Sequence, residues 1–275
     1  MKIYYGNTSG NRYEAGKMPP IGLLDAYVDF KKGPNRPLTW CDSYFMDSGA
    51  FSAWKSGRPV SLKEYMDYLT LHMAKIDHYA ALDVIGDPEA SWANFVEMRQ
   101  AGFDPMPAFH LGEPLKWLHK YVDAGCGFIG LGGIAASNKN TRYQFLNQAF
   151  KHYPDPSKIG FHGFGVTDKQ MLLDYPWRTV DSRQAHILAR FGTIETPWGA
   201  VTINPDCHHK TQEWRTPETE AKVKAWILEG GFDWDLACSS TPAGKFERTR
   251  ITIIYMEELS KKTPTSYKSH HNHLF

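Results

Sequence analysis

The chain contains no run of about 18 apolar residues, the least that lets a helix cross a bilayer. Its opening residues, Met1-Lys2-Ile3-Tyr4-Tyr5, also lack the apolar core of a secretory signal, so the expectation is a cytoplasmic protein with no membrane partner. Cysteine is scarce. Four residues, at positions 41, 126, 207 and 238, show no repeating spacing, which argues against a disulfide framework and for a reducing compartment. Neither sign of charge dominates: 31 Lys and Arg against 30 Asp and Glu leave a net charge of +1. Composition therefore announces no polyanionic partner, and any grip on phosphate has to come from a local patch of cations. Internal repeats and low-complexity segments are missing too, which excludes a repeat array. What is present is the balance of an ordinary globular protein, 42% apolar and 22% charged. The nine Trp and fifteen Phe are expected mostly to fill cores.

Short apolar runs alternate with longer amphipathic ones. The expected strands are Lys2–Tyr5, Ser43–Met46, Tyr79–Leu82, Met106–Phe109, Phe128–Leu131, Lys158–Phe161 and Trp177–Val180. Helices are expected between them: Ser61–Lys75 with a capping pair in Ser61 and Glu64, Pro88–Gly102 and Pro114–Gly125 with proline at the start and glycine at the end, and Thr141–Tyr153. Strand–helix alternation implies a parallel sheet, and seven such strands favour an α/β fold of the TIM-like (β/α)8 barrel type. The eighth strand is expected at 199–203 or 232–236. Residues 192–275 read as a loop-rich and helical appendage on a single barrel domain spanning 1–275. Within it, helices fall near 217–230 and 247–261, and a loose tail follows from Ser266.

Five of the strands run into a chemically capable residue: Asp47, Asp83, His110, His162 and Asp181. A sixth runs into Gly132-Gly133, where bare backbone can approach a ligand. In a barrel all strands deliver their C-terminal ends to one face, and that face carries the chemistry. Each position also has a bland explanation. Asp87 before Pro88 reads as a helix cap, Asp83 alone reads as a cap or turn residue, and a lone His is usually a satisfied core or surface residue. The functional reading rests on the coincidence of all five at matching positions.

Asp47-Ser48-Gly49-Ala50-Phe51-Ser52 resembles the Asp-Ser-Gly-Gly-Phe/Tyr-Gln signature of tRNA-guanine transglycosylases. Further similarities follow in the same order: Leu82-Asp83, Gly130-Leu131-Gly132-Gly133-Ile134-Ala135, His162-Gly163-Phe164-Gly165 and Val180-Asp181-Ser182. The stretch Tyr175-Pro176-Trp177-Arg178-Thr179-Val180-Asp181-Ser182 is more similar to the DNA-directed (DpdA-like) branch of that superfamily, found in phages and bacteria. The resemblance covers about residues 40–185. It departs from the family at Ala50, Ser52, His110 and His162, where the family has Gly, Gln, Gln and Met.

The resemblance implies replacement of guanine in DNA by a 7-deazaguanine base such as preQ0 or preQ1, with tRNA as the alternative polymer and the host cytoplasm as the location if the gene is viral. Asp181 is then the nucleophile and Asp47 the acid and base. Asp83 reads the guanine edge, His110 stands where the family's base-reading glutamine does, and Gly132, Gly133 and Gly163 offer backbone to the base. Phe51 and His162 cover the two faces of the purine, and Ser48 bonds the base or fixes Asp47. Arg178, Arg183, Arg190, Lys116, Lys120 and Lys139 are candidates for phosphate contact, the alternative being a solvated face. The chemistry needs no cofactor. The family's structural zinc cluster is absent in its usual spacing. Cys207, His208, His209 and Cys238 lie in the corresponding region and could bind zinc, or be loop histidines and two buried thiols. A metal-dependent barrel hydrolase is the rival enzyme class, weakened by the lack of a His-x-His strand motif.

Overall fold

The computed structural model describes residues 1–6, 18–34, 40–135, 137–166, 168–207 and 216–268. They fall into two compact units, one within Met1–Thr8, Pro20–Ser182 and Lys262–Phe275, the other within Ser9–Pro19 and Arg183–Lys261.

The first unit is an α/β barrel of the TIM-like (β/α)8 kind. Its eight parallel strands are β1 (Lys2–Gly6), β2 (Ile21–Ala26), β3 (Cys41–Asp47), β4 (His78–Tyr79), β5 (Ala108–His110), β6 (Phe128–Gly132), β7 (Gly160–Gly163) and β8 (Thr179–Ser182). Their order is β4-β3-β2-β1-β8-β7-β6-β5. The two ends of that order meet through a parallel bridge, Met106 N donating to Tyr79 O at 2.9 Å and Ala81 N to Met106 O at 2.8 Å. The helices of this unit are α1 (Ala50–Ser56), α2 (Leu62–His72), α3 (Pro88–Gln100), α4 (Lys116–Asp123), α5 (Lys139–His152) and α6 (Lys169–Asp174).

Local chemistry explains where these helices start. The Ser61 hydroxyl accepts from Glu64 N, the Asp87 carboxylate from Ala90 N, Asn138 from Thr141 N, and Asp168 from Gln170 N and Met171 N, each relieving N–H groups that a first helical turn leaves unpaired. Asp87 is the cap expected of it. The tail starting at Ser266 is ordered as far as described: Tyr267 stacks on Tyr175 at 6.0 Å and donates to Asn147 Oδ1 at 2.9 Å.

The eighth strand is β2, not 199–203 or 232–236. Residues 199–203 overlap the second strand of a small antiparallel hairpin, β9 (Thr193–Thr196) with β10 (Gly199–Thr202), in the second unit. Residues 232–236 run into a short helix. That unit also contains α7 (Gln184–Arg190), α8 (Pro217–Glu229), α9 (Trp234–Cys238) and α10 (Pro242–Ser260) around a core that includes Ile194, Ile203, Ile227 and Ile251. Its longer stretch begins at Arg183, nine residues before the expected 192, and the chain returns to the first unit at Lys262. Among the described residues, no helix is long and apolar enough to cross a membrane.

The barrel interior is filled by Tyr4, Phe45, Ala80 and Met106, with Leu24, Phe128 and Phe164 against them. Side chains alternate faces along a strand. Residues two positions further along from these interior ones, Asp47 after Phe45 among them, therefore point inward at the C-terminal mouth.

Candidate active site

Asp47 closes β3, and Ser48 and Gly49 turn the chain into α1. Gly49 has φ of 77°, and a Cβ there would lie 2.8 Å from both Val28 methyls, so the turn requires glycine on two grounds. Ala50, the departure from the family's second glycine, is the first helical residue and needs no special backbone freedom. The turn aims the Ser48 and Gly49 N–H groups back at the Asp47 carboxyl. Burial, then the Asp83 and Asp181 carboxylates, push the Asp47 pKa up to about 7 against those hydrogen bonds. Asp47 thus feels the charge of Asp181, which stands three strands away in the barrel order.

Asp181 lies on β8 in register with Tyr4. It is two residues beyond Thr179, whose hydroxyl pairs with His162 Nδ1 at 2.7 Å inside the barrel. Gly165 N donates to Asp181 Oδ1 at 2.8 Å, and His162 Nε2 stands 3.4 Å from the same oxygen. The nitrogen is close to that carboxylate but makes no well-aligned hydrogen bond.

Asp83 follows β4 on a loop pinned by α3: Asn94 Nδ2 donates to Leu82 O at 2.9 Å and Val84 N to Ser91 Oγ at 2.8 Å. The Ser48 hydroxyl donates to Asp83 Oδ1 at 3.2 Å, and His110 Nε2 lies 3.1 Å from Asp83 Oδ2. On its other side, His110 Nδ1 is 3.2 Å from Glu113 Oε1, and the His110 backbone N–H donates to Glu113 Oε2 at 3.0 Å. Burial alone would lower the His110 pKa. The two flanking carboxylates outweigh it and raise the value to about 9, so the ring is an imidazolium at neutral pH. The mouth therefore holds a connected row, Ser48–Asp83–His110–Glu113, beside the Asp47–Asp181 pair.

Glu113 escaped the sequence reading. Its signal was the His110-x-x-Glu113 spacing across a tight turn at Gly112, which has φ of 96°. Other expected roles change. Gly132 is small because the His110 ring lies against it: a Cβ there would sit 2.5 Å from His110 Cδ2, so it offers no open backbone to a base. Gly163 faces outward, where a Cβ would meet Val166 at 2.6 Å and Trp177 at 2.9 Å, and is a packing residue. Gly133 is exposed with φ of 74° and keeps its expected accessibility. His162 has no accessible surface. Phe45 stacks on it at 4.9 Å and Phe164 meets it edge-on at 4.6 Å, so neither face is free to cover a purine. Ser48 is likewise fully buried, and its hydroxyl serves Asp83 and the Ala50 N–H. Phe51 stands on α1, exposed.

Arg178 precedes β8. Its guanidinium lies 4.8 Å from the ring of Phe128, the first residue of β6, at the end of the barrel opposite Asp181, which removes it from a cluster around that residue. Lys116 and Lys120 lean on Trp117, Lys120 also on Trp92. Arg183 and Arg190 belong to the second unit. In that unit Cys207 and Cys238 are thiols near the buried Arg248 guanidinium. His208 and His209 lie outside the described residues. Among the described ones no three His, Cys, Asp or Glu side chains are grouped to hold a metal, so the described ligands do not make up a tetrahedral zinc site. No protein-family model matches the chain, and no curated protein matches it.

Proposed function

We propose that this chain exchanges a purine base in DNA, replacing guanine by a 7-deazaguanine derivative through a covalent sugar–enzyme intermediate. The observation that carries the reading is Asp47 at the end of β3 and Asp181 on β8, both at the barrel mouth and near enough for the Asp181 charge to raise the Asp47 pKa. In the first step Asp181 attacks C1′. The C1′–O bond forms, the C1′–N9 bond breaks, and Asp47 gives its proton to the departing guanine. In the second, Asp47 takes the N9 proton of the incoming base, N9 attacks C1′, and the Asp181 ester breaks. Two inversions retain the β configuration. A group that must be acid first and base second works best with a pKa near the working pH, which suits the raised value at Asp47.

Asp83 accepts from the N1–H and 2-amino edge of guanine, and His110, whose two ring N–H groups face Asp83 and Glu113, holds that carboxylate in place. An adenine edge presents the opposite pattern and sets the N1 lone pair against the Asp83 carboxylate. The target nucleotide has to leave the stack, at a few kcal/mol, which favours single-stranded or distorted DNA.

Mass spectrometry of nucleosides from DNA and tRNA of cells expressing the gene, supplied with 7-deazaguanines, tests the reading. Modified DNA is expected from the wild type, and none from a folded Asp181→Asn variant. Modified tRNA with unmodified DNA moves the substrate to tRNA. Undiminished exchange by Asp181→Asn takes the nucleophile role from that residue.

A further inference from the structure

Helix α1 is amphipathic the wrong way round. Its small residues, Ala50 and Ala53, are buried, while Phe51 and Trp54 stand 60% and 61% exposed. Burying either aromatic would stabilise the fold far more than burying an alanine, so the fold leaves a large apolar contribution unused here. The two side chains are three residues apart, on one face of the helix, with ring centroids 5.9 Å apart and planes 35° from parallel.

The same segment is free of acid. From Ser48 to Lys63 there is no Asp or Glu, and the exposed Lys55 and Arg58 form no ion pair among the described residues. Lys63, at the far end, is taken by Asp67. Aromatic faces interleaved with uncommitted cations are what a nucleic-acid strand needs: bases stack on the rings and phosphates meet the cations. A greasy partner surface would be met by the rings alone. The location adds to this, since α1 begins three residues after Asp47.

We infer that the solvent face of α1 and the turn after it form a stacking platform for single-stranded DNA, holding the nucleotides next to the one whose base is exchanged. This rests on the base-exchange reading for its polymer and its direction. Trp54 stacks on a neighbouring base, and Lys55 and Arg58 contact the adjoining phosphates. The grip is sequence-tolerant, because every base has a π face.

The full chain, titrated with a fluorescein-labelled single strand of about 12 nucleotides carrying one guanine, provides the test, since platforms of this kind engage roughly 4–16 nucleotides. Binding is expected to quench tryptophan emission in the wild type. Trp54→Ala is expected to lose most of that quenching and to weaken the anisotropy-measured affinity about tenfold. Lys55→Ala with Arg58→Ala is expected to flatten the slope of log affinity against log salt by about 1.4, near 0.7 for each phosphate no longer neutralised. All three side chains are exposed, so the thermal midpoint should not move, which separates weakened binding from failed folding. Unchanged affinity, quenching and salt slope would overturn the inference. So would a wild-type dimer that Trp54→Ala dissolves, which would assign the patch to a second copy of the chain. Base exchange without a Trp54 effect sinks the platform and leaves the chemistry standing. Trp54-dependent DNA binding without base exchange does the reverse.

Discussion

Asp47 is the residue on which both the pH dependence of stability and the proposed chemistry turn. An unfolded aspartate titrates near 3.9, whereas burial and two neighbouring carboxylates lift Asp47 to about 7. The folded state therefore binds the proton more tightly than the unfolded one between those values. Its contribution to stability is complete below about pH 4 and is lost as pH rises through 7. Above that, the protein carries a buried charge that opposes folding. Asp47→Asn removes it, and is expected to raise stability at about pH 8 by roughly 2–4 kcal/mol, the three-unit displacement reduced by water at its partly open side. At about pH 4 the gain should vanish. The same variant is expected to lose base exchange, since an amide neither gives nor takes the proton. Denaturant melts at the two pH values check the first half. A gain of equal size at both would show that Asp47 is an ordinary carboxylate, and its service as acid and base would go with it.

At the scale of elements, a small residue on one strand makes room for a candidate site side chain on the next. His110 on β5 sits opposite Gly132 on β6, and the missing Cβ is the space its ring occupies. Glu113 holds the ring from the turn beyond. Both supports can be removed separately. Gly132→Ala places a methyl 2.5 Å from His110 Cδ2 and is expected to push the ring off Asp83, while Glu113→Gln removes one of the two carboxylates. In either variant the His110 titration, followed by NMR and assigned with a His110→Gln control, should fall from about 9 by at least about one unit. A titration unmoved in both would mean that the imidazolium is held by something else. Much of this was legible in the sequence: Asp47, Asp83, His110 and Asp181 follow apolar runs, and the barrel rule converts four run ends into one face. The rest was hidden for physical reasons. β2 reads Ile-Gly-Leu-Leu-Asp-Ala, and glycine and aspartate are poor strand formers, yet Leu24 packs in the barrel while Asp25 bonds the Tyr44 hydroxyl behind it. β7 and β8 begin two residues later than expected, because Ile159 N bonds back to Asp155 O and Trp177 N to Tyr175 O, and Trp177 is apolar for the core it packs in. Glu113 was missed because it lies on a turn, where sequence pattern says least about which side chain folds back.

Over the whole molecule, the most strongly displaced acidic groups and His110 are raised in the barrel, where burial lowers His78, and His186 is lowered in the second unit. In the barrel, burial raises Asp25 to about 6, burial and its carboxylate neighbours raise Asp47 to about 7, and flanking carboxylates raise His110 to about 9 against the effect of burial. Each is protonated more readily when folded, so each loses its stabilising contribution as pH rises, Asp25 and Asp47 from about 4 upward and His110 from about 6.5 upward. In the second unit, burial, then Lys245 and Arg183, lower His186 to about 4. A histidine that resists its proton when folded stabilises above about 6.5, and that contribution is lost as pH falls through 4. The strands that carry Asp47 and His110 and the helices around His186 should therefore answer pH in opposite directions. Hydrogen exchange read by mass spectrometry at about pH 5 and about pH 8, corrected for intrinsic rates, follows each unit by its own peptides. On going to the lower pH, protection is expected to rise in β3 and β5 and to fall in α7 and α10. His186→Gln should abolish the fall in α7 and α10 without touching the rise in β3 and β5. Protection that rises in both units at the lower pH would contradict a buried neutral His186. Protection that falls in both would contradict the raised Asp47 and His110, and with them the acid–base role on which the proposed base exchange depends.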